Sequence, residues 1–400
     1  MMDNKHTQAI YIHALAMNSA LGDNQAQQLA VLAGEKPAAM LAESGWLNDG
    51  KSTVVGKVLA PLPNVPARLT HKNTRNNRLA LSSLVTIEKQ IKQAIKQFGL
   101  DRVAVVVGTS TSGISDGEIA LAKGLPDDYH YHQQEVGNLG QFVADYFSIA
   151  GPTYTISTAC SSSGRVFISA KRLLNAGLVD AVIVGGCDSL CQLTLNGFHC
   201  LEALSHHACL PFSENRKGIN IGEASAFMLL SKNKNSSGLA LLGCGDSSDA
   251  HHISAPHPEG KGAIEAMQKA LIDANLSVDD IGYINAHGTA TKLNDAMESK
   301  AIYSLFKDRT PVSSTKPLTG HALGAASILE ASICCLLLQE NSFLPRQIND
   351  GKFDGSLAPI LFVAGETEKL KKTAVLSNSF AFGGNNVSLI FGIIKHEKNN

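Results

Sequence analysis

Tyr154-Thr-Ile-Ser-Thr-Ala-Cys160-Ser-Ser-Ser-Gly164 runs directly into Arg165-Val-Phe-Ile-Ser-Ala-Lys-Arg-Leu-Leu174. Aromatic and β-branched residues, then a tight turn of small residues, then apolar residues at helical spacing read as strand, turn and helix, with the helix from Arg165 to Ala176 closed by Gly177. Cys160 then sits at a helix N-terminus. Free N–H groups and the positive end of the helix dipole favour a thiolate there, so the thiol pKa is predicted to fall below its usual ~8.5. Ala159, Ser161 and Gly164 leave room for a carbonyl to approach the backbone. Taken alone, the pattern fits a buried structural cysteine as well.

Working outward, Val103–Val107 before Gly108, Ala181–Val184 before Gly185-Gly186, Ile281–Ile284 and Thr373–Leu376 read as short buried strands. Arg78–Phe98 carries Leu79, Leu81, Leu84, Val85, Ile91 and Ile95 at helical spacing, with Gly99 as its cap, and a third helix runs from about Ala325 to Glu340. Strands alternating with helices define an α/β chain. The polar stretch Lys232–Gly238 divides it into halves at 1–238 and 239–400, each containing strand, reactive residue and helix in that order.

The 400 residues leave room for two to three folding units at about 150 residues each. At 44% apolar, the composition supplies buried cores and argues against disorder. Lys plus Arg total 34 and Asp plus Glu 35, a net charge of −1 that excludes bulk nucleic-acid or anionic-membrane binding but not a local basic patch. Only 17% of residues are charged, which suits a chain with a large subunit interface. Met1–Gln8 does not read as a secretion signal, and the greasiest run, Ile333–Leu338, is far short of the roughly 20 residues of a membrane span. The eight cysteines follow no framework and are expected to be reduced thiols of a cytoplasmic protein. A zinc site from Cys187, Cys191, Cys200, Cys209, His199, His206 and His207 has the wrong spacing for paired knuckles.

Two histidines change the odds for Cys160. Asn285-Ala-His287-Gly-Thr-Ala-Thr follows a strand, and Lys316-Pro-Leu-Thr-Gly-His321-Ala-Leu-Gly-Ala-Ala opens the third helix, where α/β folds place reactive groups. Near the C-terminus, Phe380-Ala-Phe382-Gly383-Gly384-Asn385 forms a Gly-rich loop whose N–H groups and aromatic rings are free to face a site.

These motifs, in this order over nearly the whole chain, resemble the β-ketoacyl-acyl carrier protein synthases, condensing enzymes of the thiolase-like fold. Thr158-Ala-Cys160-Ser-Ser, His287-Gly-Thr-Ala-Thr, Lys316-x4-His321 with Glu330, and Asn378-Ser-Phe-Ala-Phe-Gly-Gly-Asn carry the resemblance, with Pro211-Phe-x3-Arg216 and Ser247-Ser-Asp249-Ala-His-His. The resemblance implies two duplicated α/β halves in five α-β-α-β-α layers. It also implies acyl transfer to Cys160 and decarboxylative condensation with a malonyl group, assisted by His287 and His321. Lys316 and Glu330 would support the histidines, with Thr289 and Thr291 as further hydrogen-bond partners. Backbone N–H groups of Cys160 and Phe382 would hold the oxyanion, and Phe380, Gly383 and Asp249 would belong to the gate. No cofactor or metal is implied. The partners would be an acidic acyl carrier docking at Lys72 and Arg75, and an identical or homologous subunit.

Three departures stand out: Ala381 replaces a gate-loop glycine, Ser213 stands where the motif carries Asp, and Gly222-Glu-Ala-Ser-Ala replaces Gly-Glu-Gly-Ala-Gly. Ala at a position needing positive φ would stiffen the gate. With Lys72–Leu81 and the Gly108–Ile114 loop, they point toward polyene or polyketide synthases, including the aryl polyene branch. The rival reading is a noncatalytic chain-length-controlling subunit. Such subunits lack the nucleophile that Cys160 supplies, and a thiolase would use a second cysteine in place of one histidine.

Overall fold

Ten strands form one sheet: β1 (Ile10–Asn18), β2 (Val103–Gly108), β3 (Thr153–Ile156), β4 (Ala181–Asp188), β5 (Ala224–Ser231), β6 (Leu239–Ser248), β7 (Ile281–Asn285), β8 (Val312–Ser313), β9 (Ala374–Phe380) and β10 (Asn385–Ile393). The computed structural model describes residues 9–127, 129–340, 343–365 and 368–395, so Met1–Gln8 lies outside the described residues. Outward from the central seam, the strands run β1-β5-β4-β2-β3 on one side and β6-β10-β9-β7-β8 on the other. The second order is the first shifted by five. Strand directions repeat as well: β2, β3 and β4 are parallel, as are β7, β8 and β9, and the remaining pairs are antiparallel. The halves meet where β1 pairs antiparallel with β6 through Ile10 with Leu241 and Tyr11 with Ala240.

Helices α1 (Arg75–Thr86), α2 (Glu88–Phe98) and α3 (Asn138–Phe147) cover the outer face of the first half-sheet. Between the half-sheets lie α4 (Ser162–Asn175) and α8 (Ala326–Glu340), each touching strands of both halves. The helix α5 (Gln192–Cys200) packs through Leu195 in a separate small cluster, while α6 (Lys261–Ala274) and α7 (Lys292–Phe306) cover the outer face of the second half. The result is the five-layered arrangement that the resemblance implies. Leu323–Glu340 is long and apolar enough to cross a membrane by composition, which the short run Ile333–Leu338 did not suggest. It is instead a core helix, with every residue from Ala326 to Leu338 buried between sheets.

The expected strands appear, whereas the first helix differs. Thr74 accepts the Asn77 N–H at 3.1 Å and starts α1 three residues before Arg78. At Ile87 (φ −108°, ψ 12°) the helical path breaks and α2 begins. Val85, expected in the apolar stripe, stands before the break, within α1, and is 42% exposed. At the end of β2, Gly108 lies against the start of α4, where an added Cβ would stand 2.5 Å from the Ser163 amide nitrogen. A side chain there has to push α4 and the cysteine turn away from the sheet. Gly108→Val is expected to lower unfolding stability by about 1–3 kcal/mol in urea titration; an unchanged midpoint would contradict this packing.

Candidate active site

Cys160, His287 and His321 come from three chain segments. After β3, Ala159 takes a left-handed conformation (φ 52°), and Ser162 holds the turn by accepting the Thr158 N–H at 2.8 Å and donating to Ala159 O at 2.6 Å. This turn sets Cys160 two residues before α4. His287 follows β7, and the loop after it bends through Gly288 (φ 38°) and Ala290 (φ 61°). His321 follows the short helix Lys316–Thr319 and is held by its backbone, whose N–H donates to Asn220 O at 2.6 Å and whose carbonyl accepts the Gly222 N–H at 3.1 Å. Gly222 has to be glycine, because a Cβ would lie 2.1 Å from Thr319 O.

All three side chains are buried. His321 Nε2 lies 2.9 Å from Cys160 Sγ, and the two imidazoles meet edge to face with centroids 5.4 Å apart. Their tautomers follow from their neighbours. His321 Nδ1 accepts the Leu323 N–H at 3.1 Å, and the Lys316 ammonium, a donor only, faces His287 Nδ1 at 3.4 Å. Both rings therefore carry their proton on Nε2. Burial, then the Lys316 charge and, for His287, the other ring, drive both pKa values well below the usual imidazole range and keep the rings neutral. The Sγ and ring nitrogens are close enough together to hold a metal ion. With Nδ1 lone pairs taken by donors, however, the rings offer N–H groups rather than free Nε2 lone pairs.

The thiol departs from expectation. Burial pushes Cys160 up to about 11, against the opposing pulls of Lys316 and the backbone N–H groups of Phe382 and Cys160. Loss of solvent therefore outweighs the helix dipole, and the resting group is a thiol. Both N–H groups named for the oxyanion point at the sulfur.

Lys316 and Glu330 form a buried ion pair at 2.5 Å, with each side chain 2% exposed. Thr289 and Thr291 hydroxyls lie 3.0 Å apart, and both residues line a chamber of about 10 Å³ with Cys160, His287, His321, Phe198, Phe380 and Phe382. Phe382 also lines an outer cavity of about 470 Å³ that includes Thr291, Asn294, Arg216, Lys217 and Lys292. It thus stands between the two spaces, stacked at a tilt on Phe198 at 5.7 Å. The Asp249 segment is bonded to the loop that carries Phe382: the Asp249 N–H donates to Gly384 O at 2.9 Å, and Gly383 N–H donates to Ile253 O at 2.7 Å. Ala381 adopts an extended conformation (φ −89°, ψ 157°), and positive φ falls on Gly383 and Gly384 instead. The stiffening expected from Ala381 therefore has no basis in this conformation. Ser213 donates to Asp350 at 2.8 Å, so a carboxylate from elsewhere stands by the position where the motif carries Asp.

Lys72 and Arg75 do not join this site as free charges. Lys72 pairs with Asp145 at 2.5 Å with its side chain 12% exposed, and Arg75 grips buried Glu223 at 2.5 and 2.9 Å. The exposed bases at the outer cavity are Lys217 and Lys292, neither singled out by sequence. Sequence reading also missed Glu298, whose two oxygens accept the His287 and Gly288 N–H groups at 2.8 and 2.7 Å. Asp295 accepts the Ala290 and Phe212 N–H groups at 3.1 and 2.7 Å. Their spacing of three on α7 was the available signal. Of the residues weighed for zinc, Cys200 is exposed while Cys187, Cys191 and Cys209 are buried, His199 pairs with Asp49 and His206 with Ser52 O.

Alkylation of Cys160 by iodoacetamide, followed by mass spectrometry, is expected to accelerate with pH through pH 9 toward the raised pKa of about 11. A plateau already reached near neutral pH would mean a resting thiolate.

Residues 57–236 match the family described as Beta-ketoacyl synthase, N-terminal domain, and residues 240–349 match Beta-ketoacyl synthase, C-terminal domain. The 3-oxoacyl-[acyl-carrier-protein] synthase 2 of Staphylococcus aureus is 29% identical over 367 residues, covering 82% of this chain and 87% of that protein. A chain of the complex between a ketosynthase and its chain length factor from Xenorhabdus doucetiae is 48% identical, with TM-score 0.93 over 98% of this chain and 100% of that one. A beta-ketoacyl synthase from Burkholderia phymatum superposes with TM-score 0.86 at 26% identity, over 97% and 100% of the two chains.

Proposed function

The chain belongs to the β-ketoacyl synthase family, and from that premise we propose how its residues carry decarboxylative condensation on an acyl carrier. The observation that carries the proposal is the meeting of one thiol and two neutral, Nε2-protonated imidazoles in a single buried chamber behind Phe382. In the first half-reaction Cys160 Sγ attacks the acyl thioester. The carbon–sulfur bond to the carrier breaks, and the thiol proton of Cys160 leaves on the departing carrier thiol. N–H groups of Cys160 and Phe382 hold the oxyanion. In the second, the malonyl thioester oxygen accepts from His287 and His321 Nε2–H as the carboxylate departs as CO₂. The bonding pair left behind becomes an enolate, so no strong base is required. The enolate carbon then attacks acyl-Cys160 and breaks its carbon–sulfur bond, the thiolate released takes a proton from solvent to return to the resting thiol, and the β-ketoacyl product stays on the carrier, two carbons longer.

Lys316 and Glu330 orient His287, and Thr289 and Thr291 line the chamber beside the reacting groups. Retention of all three reacting groups favours the catalytic member of a ketosynthase pair over its noncatalytic partner. We assign the partner to the open edge of β3, the outermost strand on the first-half side of the sheet, where Tyr154 is 38% exposed. An unpaired edge is satisfied by a homologous strand. The kinship with the Xenorhabdus doucetiae complex favours a heterodimer of the polyketide or polyene type. We further divide the chain at 238/239 into cysteine and histidine halves, and infer a cytoplasmic location from its eight free thiols. Docking of the acidic carrier is assigned to Lys217 and Lys292 in place of Lys72 and Arg75.

Purified protein, with and without a homologous partner, is to be mixed with acyl carriers and malonyl carrier and read by mass spectrometry. Wild type forms acyl-Cys160 and extended product, and Cys160→Ala forms neither. His287→Ala and His321→Ala still acylate but decarboxylate about 100-fold more slowly or worse. Failure of wild type with every primer and partner sinks the reading. Lys217→Glu with Lys292→Glu is expected to raise KM for the carrier about tenfold at low salt with kcat unchanged, the gap closing at high salt. An unchanged KM would move docking elsewhere.

A further inference from the structure

Asp188, the last residue of β4, is 1% exposed and lies outside the reacting set. Its Oδ1 accepts the Thr109 hydroxyl at 2.7 Å, the Ser110 and Thr111 N–H groups at 2.7 Å each, and the Thr111 hydroxyl at 2.8 Å. Its Oδ2 accepts the Ala325 N–H at 2.9 Å. Every neighbour is a donor, which only an ionised, acceptor-only carboxylate satisfies fully. The first four donors belong to the loop leaving β2, and Ala325 belongs to the turn that follows His321.

That turn is unusual in itself. Leu323 is left-handed (φ 51°), and its N–H is the donor to His321 Nδ1 at 3.1 Å. A Cβ on Gly324 would lie 2.8 Å from Ser110 Oγ and 2.9 Å from Asp188 Oδ2, so the turn is pressed against the β2 loop with no space to spare. A left-handed leucine costs about 1–3 kcal/mol and persists only where surroundings over-determine it. Asp188 is one of the groups that hold it, through the Ala325 N–H, which also donates to Ala322 O at 2.9 Å.

We propose that Asp188 is a positioning residue for His321: by clasping the 323–325 turn to the β2 loop it keeps the Leu323 N–H on Nδ1, and so keeps the Nε2 proton aimed at the reacting atoms. The inference rests on the condensing-site reading above. It separates two effects of one buried carboxylate. A merely structural Asp188 lowers both half-reactions together, whereas a positioning one spares acylation, which needs the thiol and the oxyanion donors, and slows decarboxylation, which needs His321.

Asp188→Asn keeps the shape but turns an amide donor toward N–H donors. Gly324→Ala keeps the carboxylate but forces the turn away from it. Each is prepared as the full chain with its homologous partner. Acyl-Cys160 formation is followed by intact mass, malonyl-carrier decarboxylation by CO₂ release, and the His321 tautomer by ¹⁵N shifts of the ring. Both variants are expected to acylate near the wild-type rate, decarboxylate about 10- to 100-fold more slowly, and show a His321 ring no longer held with its proton on Nε2. The inference is overturned if Asp188→Asn decarboxylates like wild type, loses both half-reactions by the same factor, or keeps the Nε2–H tautomer. If Asp188→Asn does not fold, Gly324→Ala decides: wild-type decarboxylation in that variant overturns the proposal. Should wild type itself fail to acylate Cys160, the condensing-site reading falls, and the ring shifts still test the clasp.

Discussion

The Lys316–Glu330 ion pair is the interaction on which the site depends. Burial pushes Glu330 up, and the ammonium beside it pulls it back. The same ammonium faces His287 and adds to the burial that keeps both imidazoles neutral. Removing one member of a buried pair strands the other charge, a loss of about 3–5 kcal/mol. A cation is thereby retained inside a buried layer where an apolar pair of equal volume would be no less stable. Its return is electrostatic: neutral rings with a fixed N–H are what a developing enolate needs, whereas imidazolium would titrate with the medium.

The loops carrying the reacting groups are bent through conformations that L-residues seldom adopt. Ala159, Ala290, Leu323 and Phe212 are all left-handed, and each lies in or against the reacting segments. Asp188, Asp295 and Glu298 meet these bends with carboxylate oxygens placed on backbone N–H groups. Burial pushes Asp295 up to about 6 and Glu298 up to about 7, so their anchoring charge sits close to protonation at neutral pH. Because their folded pKa values are raised, these carboxylates favour folding when protonated, and that share of stability is lost as pH rises through the range from their unfolded values to about 6 and 7. The geometry of the site is held against that slope by the rest of the fold.

The strand–turn–helix around Cys160 and the two histidine motifs were legible because their signals are local: residue type, spacing and a neighbouring glycine. The break at Ile87 was not, since apolar residues continue on both sides of it and no glycine or proline marks the place. Asp188 escaped notice because its five donors lie in segments up to 137 residues away. The pairings of Lys72 and Arg75 were hidden for a related reason: a charge run cannot say whether its partner is solvent, a carrier or a carboxylate of the same chain such as Asp145 or Glu223. The sign of the Cys160 shift failed on magnitude. Helix-end effects are worth about 0.3–1 kcal/mol at the surface and up to ~2 kcal/mol in partly buried sites, and complete desolvation of a thiolate exceeds that.

The repeated strand order leaves a mechanical problem, because the cysteine belongs to one half and the histidines to the other, while among the described residues β1 and β6 pair through 10–11 and 240–241. That short seam cannot set a 2.9 Å sulfur–nitrogen distance. The helices between the sheets do so. Ser327 at the start of α8 donates to Cys160 O at 3.3 Å and bonds Ser379 of β9, and Ile328 N–H donates to Ser163 Oγ at 3.0 Å in α4. Arg165 of α4 reaches Asp246 of β6 at 2.7 Å. Since α8 also carries Glu330, the helix that fixes the nucleophile's backbone is the one that anchors the cation beside the histidines. Registry between the two halves is therefore transmitted through α8, and the site is assembled only when that layer packs.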